Sequence, residues 1–188
     1  GYGEILKHSL ILNKKFFLWL CKNGKNIINK KNSLQLKEAI IKSCKIKSAV
    51  VNKDEKEKSF RMILNFGHTF AHGFEGAKNF SKKLNHGEAV LLGMIVACKF
   101  SSKKKIFSYK DLNLINKHYI DLNLPKNINK VFKKNQINKI IYYMKKDKKN
   151  INEKINLILL SKIGKVEKYS RTIFSSGEIK KFLLSSFF

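Results

Sequence analysis

Apolar residues recur along most of this chain at helical spacing, with little of the strict alternation that marks strands. Ile5, Leu6, Leu10 and Leu12 begin an apolar stripe that continues through Phe16, Phe17 and Leu20. A second helix is predicted from Ser33 to Val51, with Leu36, Ile40, Ile41 and Cys44 turned inward. Ser33 stands where a cap belongs, although Gln35 is one residue short of a capping box. Further helices are expected over Glu57–Phe74, Glu88–Ser102, 110–122 and 135–146, with Pro125 breaking the chain between the last two. Residues 154–169, KINLILLSKIGKVEKY, are β-rich around a glycine turn and predict a short strand or hairpin. Ser175 and Glu178 have capping-box spacing ahead of a last helix, Ile179–Leu184. The pattern predicts a mainly α fold: one helical domain over residues 1–188 with one small β element.

The longest apolar run, Ala89–Cys98, is ten residues, about half of the ~20 that a bilayer-spanning helix needs. No membrane segment or signal peptide is expected. A hydrophobic fraction of 43% and an aromatic fraction of 11% suit a folded core rather than a disordered chain. Cys21, Cys44 and Cys98 are far apart and sit among apolar neighbours, which predicts buried free thiols and the cytoplasm. The net charge of +27 points first to nucleic acid. Only two of the 40 basic residues are arginines, Arg61 and Arg171, whereas lysine covers positions that read as plain surface, Lys103 and Lys104 among them. Arg supplies the bidentate phosphate and base contacts of dedicated binders, so nucleic acid is not the expected partner.

One segment departs from this lysine-rich habit. No lysine lies between Ser59 and Gly76, and Glu57, Arg61, Asn65, His68 and His72 follow one another at spacings of 4, 4, 3 and 4. On a single helix they share one face, with Met62, Leu64, Phe66 and Phe70 opposite for packing. Gly67 and Gly73 inside such a helix cost about 1 kcal/mol each, a cost consistent with close approach of a ligand or another backbone. Two histidines with a carboxylate form a zinc set that leaves a coordination position open. His68 and His72 have the i, i+4 spacing of an HExxH helix, but the glutamate of that motif is absent. His86 begins the next helix and is able to point back. Glu4 and His8 form a second i, i+4 pair on the first helix, beside Lys7. Spacing alone gives a metal site and no reaction.

The blocks GEILKHSLI, SCKIKSAVVNKDEKEKSFRMILNFGHTFAHGFE, LNHGEAVLLGM and MKKDKK…INLILLSKIGKVE resemble, in order, the C-terminal domain of the 3-dehydroquinate synthases. The resemblance implies a zinc or cobalt ion held by Glu4, His68 and His86. It takes His72 off the metal and makes it a substrate-side residue near the transferred proton. It implies phosphate and carboxylate binding by Lys7, Lys47, Arg61 and Asn65, an active-site carboxylate at Glu57, and a further substrate contact from Lys148, with Lys149 as the alternative. The substrate implied is 3-deoxy-D-arabino-heptulosonate 7-phosphate, oxidised with NAD, relieved of phosphate, reduced and closed to 3-dehydroquinate in the shikimate pathway. The family's N-terminal Rossmann-like NAD domain has no counterpart here, and the chain opens on Gly1. The expectation is therefore a fragment, or one part of a split enzyme, inactive without its NAD-binding half and homodimeric when complete. Gly3, Ser9, Ala71 and Gly73 depart from the family's usual residues without removing a ligand. Other sugar-phosphate cyclases and metal-dependent polyol dehydrogenases share the domain and are the enzymatic alternative. The non-enzymatic alternative is a basic helical module with a structural metal.

Overall fold

A computed structural model describes residues 1–29, 31–146, 154–168 and 172–188. The expected mainly helical fold is present. In chain order its helices are α1 (Tyr2–Leu12), α2 (Lys14–Ile28), α3 (Ser33–Lys53), α4 (His68–Ala77), α5 (His86–Lys103), α6 (Tyr109–Asp121), α7 (Ile137–Lys145) and α8 (Ser176–Phe187), with a 3-10 segment at Phe60–Asn65 before α4. The strands are β1 (Lys154–Leu157), β2 (Leu160–Lys162), β3 (Lys165–Val166) and β4 (Thr172–Ser175).

Helix α5 is the centre. Nearly every residue from Ala89 to Ser102 is buried, so the apolar run that is too short for a membrane forms the core helix of this domain. Among the described residues no helix is long and apolar enough to cross a membrane. Asn85 and Glu88 close a capping box at its start, each side chain taking the other's backbone N–H. Helix α4 lies between α5 and α7, while α1 packs on α2, α3 and α5. β1 pairs antiparallel with β4, Lys154 opposite Ser175, and β2 with β3. The two small sheets act as clasps. Thr69 donates to the Asn156 carbonyl at 3.1 Å, Ser101 to that of Leu160 at 2.7 Å, and the Gly164 amide to that of Leu10 at 2.7 Å.

Several sequence expectations need correction. The first stripe is two helices, because Asn13 leaves helical geometry and caps α2 by accepting from the Phe16 amide. Helix α3 faces inward through Ala39, Ser43 and Val50, flanked by half-buried Leu36 and Ile46; Ile40, Ile41 and Cys44 are exposed. That stripe runs 36, 39, 43, 46, 50. The large side chains suggested a shifted face, but small residues occupy the contact because α1 comes close there. Asn32, not Ser33, caps this helix. Lys103 and Lys104 are not plain surface: Lys103 donates to Ser185 at 3.0 Å and Lys104 pairs with Glu178, tying α5 to α8.

The third helix is the largest departure. Residues 57–74 do not form one helix. Glu57 has a positive φ of 52°, the chain turns through Phe60–Asn65 as 3-10, and Gly67 at φ +79° starts α4 anew. Gly67 has to break here because it crosses α5 in contact. A Cβ on Gly93 would lie 2.2 Å from the Gly67 carbonyl oxygen, and one on Gly67 would lie 2.8 Å from the Met94 amide nitrogen. The glycine therefore serves a backbone crossing. Phe66 and Phe70 are fully buried, as the packing face required.

Candidate metal and anion site

Three elements meet at one end of the domain. Helix α1 brings Glu4 and Lys7, α4 brings His68, His72 and Glu75, and the first turn of α5 brings His86. The His68 Nε2 lies 3.8 Å from Glu4 Oε1. The His68 ring centroid is 5.6 Å from that of His86 and 5.9 Å from that of His72, edge-on in both cases. His68 is nearly buried, with 14% of its side chain exposed, and its Nδ1 faces the Phe66 carbonyl at 3.3 Å. His86 Nδ1 lies 2.9 Å from Glu75 Oε1. With Nδ1 protonated toward those oxygens, both imidazoles keep the Nε2 lone pair as a donor.

The electrostatics favour ligand forms. Burial above all, then the Lys7 charge, pushes His68 down to about 4, so it is neutral near pH 7. For Glu4, burial works upward, but the hydrogen bond and charge of Lys7 and the nearby histidines outweigh it and hold the carboxyl below its usual range. Lys7 Nζ donates to both Glu4 oxygens at 2.9 and 2.8 Å and is itself buried, which lowers its pKa. Two imidazoles and a carboxylate fit zinc or cobalt by donor chemistry. The donors are neighbours rather than a closed shell. Among the described residues no three His, Cys, Asp or Glu side chains are gathered to hold an ion as they stand, and the Glu4 carboxylate faces Lys7.

The other anion-binding candidates lie on α3 and on the segment between α3 and α4. Asp54, just after α3, accepts the amides of Lys58, Ser59 and Arg61, all at 2.9 Å, and so folds the loop that carries Glu57 and Arg61. Arg61 Nη1 donates to the Glu55 carbonyl at 2.8 Å, and Asn65 Nδ2 to Glu57 Oε1 at 3.1 Å. Lys47, exposed on α3, contributes to the positive field on Lys7 and His8.

The comparisons with known proteins decide the family. Residues 1–150 match the family model described as 3-dehydroquinate synthase C-terminal. The chain belongs to that family. The 3-dehydroquinate synthase of Pelagibacter ubique is 57% identical over 164 residues, covering 87% of this chain and 44% of that protein. That of Dictyoglomus thermophilum is 41% identical over 171 residues, covering 89% of this chain and 45% of that protein. The chain thus spans less than half the length of these relatives. Among solved structures, 2-deoxy-scyllo-inosose synthase complexed with carbaglucose-6-phosphate, NAD+ and Co2+ superposes with a TM-score of 0.75 at 27% identity, over 98% of this chain and 50% of that one. A 2-epi-5-epi-valiolone synthase from Streptomyces hygroscopicus with NAD+ and Zn2+ bound, 19% identical with a TM-score of 0.79 and 98% and 49% covered, shares the fold.

Within this family member the fold brings together Glu4, Lys7, His68, His72 and His86, and sets Glu57 with Asn65. Arg61 is engaged with its own loop. The second carboxylate–histidine pair read from spacing, Glu4 with His8, does not form a site: His8 is buried and its Nδ1 lies 2.7 Å from Ser43 Oγ. Lys148 and Lys149 lie outside the described residues. Sequence reasoning missed Asp54 and Glu75. Glu75 sits three residues after His72 and seven after His68, a spacing that keeps all three on one face of α4 and was available as a signal.

Proposed function

We propose that this chain is the metal- and substrate-binding part of a 3-dehydroquinate synthase, acting on 3-deoxy-D-arabino-heptulosonate 7-phosphate together with an N-terminal NAD-binding half. The observation that supports the reading is that Glu4, His68 and His86 come from three separate elements as successive neighbours, His68 Nε2 3.8 Å from Glu4 Oε1 and the His68 and His86 rings 5.6 Å apart, with an oxygen acceptor beside each Nδ1. These three would hold zinc or cobalt. The ion would supply Lewis acidity at a substrate hydroxyl, and NAD a hydride acceptor.

The chain's own residues bind and orient. Lys47 and Arg61 supply charge for the phosphate and carboxylate of the substrate, and the Arg61 fork suits either group bidentately. Lys7, paired with Glu4, places a cation beside the ion site and keeps that carboxylate ionised. Asn65, braced by Glu57, presents an amide to a substrate oxygen. His72, exposed next to His68, holds or takes up a proton at the open side. Lys148 belongs to the same proposed set. The free thiols at Cys21, Cys44 and Cys98 suit the reducing cytoplasm assigned in this reading, and the complete enzyme is taken as a homodimer.

The test joins the chain to the N-terminal part of the Pelagibacter ubique relative and follows phosphate release from the substrate with NAD and zinc. Release that needs both halves, and that His86→Ala abolishes, supports the reading. Release by this chain alone at the level of the joined protein contradicts it. So does failure of a joined protein that binds NAD normally.

A further inference from the structure

We propose that Glu75 is the positioning residue for His86, fixing the tautomer and direction of that imidazole as a metal ligand; this rests on the metal site proposed above. The two histidines of the site are oriented by different devices. His68 is nearly buried in α4 and turned by a backbone carbonyl, that of Phe66 at 3.3 Å. His86 has 57% of its side chain exposed, and packing alone leaves such a ring free to rotate. Its backbone is fixed at the start of α5 by the Asn85–Glu88 capping box, which sets where the side chain begins but not where it points. The Glu75 carboxylate supplies the missing constraint at 2.9 Å from Nδ1.

Glu75 is well placed for this. Its own side chain is only 15% exposed, and α4 is held between α5 and α7, with a Cβ on the next residue, Gly76, meeting the Tyr143 ring at 2.2 Å. The carboxylate therefore stands on a rigid helix. A hydrogen bond from Nδ1–H to the carboxylate leaves the lone pair on the other ring nitrogen, Nε2, and the His68 ring lies 5.6 Å away between centroids. A carboxylate behind a ligating histidine also raises its basicity, and loss of such a partner typically costs 10–100-fold in metal affinity.

The experiment measures zinc affinity of the 188-residue chain by competition with a chromophoric chelator, and records the d–d absorption of the cobalt-loaded chain. Glu75→Ala should weaken zinc binding 10–100-fold and alter the cobalt bands. Glu75→Gln, which can still accept from Nδ1 but has lost the charge, should fall between parent and Glu75→Ala. In a His86→Ala background, Glu75→Ala should have no further effect, because its target is gone. Normal affinity in Glu75→Ala, with His86→Ala impaired, overturns this proposal and leaves the metal site standing. An equal loss with and without His86 also overturns it, since Glu75 would then act as a ligand or through the fold. Unchanged affinity in His86→Ala overturns the metal site itself.

Discussion

Acidification below pH 6.5 should destabilise the chain through His118. This histidine is 2% exposed, its Nε2 lies 2.8 Å from the Tyr2 hydroxyl, and the Phe17 ring meets it edge-on at 5.5 Å. Burial lowers its pKa from the usual 6.5 to about 4, against a smaller upward pull from Asp121. Between those values the unfolded chain binds the proton and the folded chain does not. The contribution is therefore complete above pH 6.5 and is lost as pH falls toward 4. The whole gap is worth about 3 kcal/mol, and about 2 kcal/mol of it is lost by pH 5. Urea unfolding of the parent and of His118→Gln at pH 7.5 and 5.0 measures this. Glutamine still accepts from Tyr2 and cannot titrate. His8 and His68, also depressed to about 4, act equally in both proteins. The parent should lose about 2 kcal/mol more than the variant between the two pH values. Equal losses would show that His118 is not held neutral by the fold.

Gly76→Ala should cost about 1–3 kcal/mol by overpacking, since the added carbon meets ring atoms of Tyr143 at 2.2–2.7 Å; a smaller residue at 143 should recover part of the loss in thermal unfolding. Asp54→Asn should speed hydrogen exchange at the Lys58, Ser59 and Arg61 amides, which one carboxylate now holds, and unchanged exchange would remove Asp54 from the loop's architecture. In the joined two-half protein, Arg61→Ala should weaken binding of a substrate-like phosphonate by about 1.5–3 kcal/mol, Arg61→Lys should recover only part of it, and neutralising exposed Lys37 should change little. Calorimetric titration in which Lys37 matters as much as Arg61 would make the charge diffuse rather than local.

The helical class, the buried α5 and the cap at Ser175 were legible because spacing and capping chemistry are local. The inward face of α3 was not, since Ala39 and Ser43 make the contact and hydrophobicity points instead to Ile40 and Ile41. Their role depends on where α1 lies, which no local pattern contains. The polar stripe from Glu57 to His72 was read as one helix face, yet its members come from a loop, a 3-10 turn and α4. Gly67 broke the helix because it crosses α5 at Gly93, a tertiary cause. The residue set drew attention as polar side chains in a lysine-poor segment, but the wheel was the wrong reason. The grouping of Glu4 with His68 and His86 came from resemblance, since three elements far apart in sequence carry no shared period.

Zinc K-edge X-ray absorption of the metal-loaded chain reads the proposed ligand set itself. One bound ion is expected with a nitrogen and oxygen shell at about 2.0–2.2 Å, the outer-shell signature of two imidazoles, and one imidazole fewer in His86→Ala. A sulfur shell at about 2.3 Å, or a spectrum that His68→Ala and His86→Ala both leave unchanged, would contradict it.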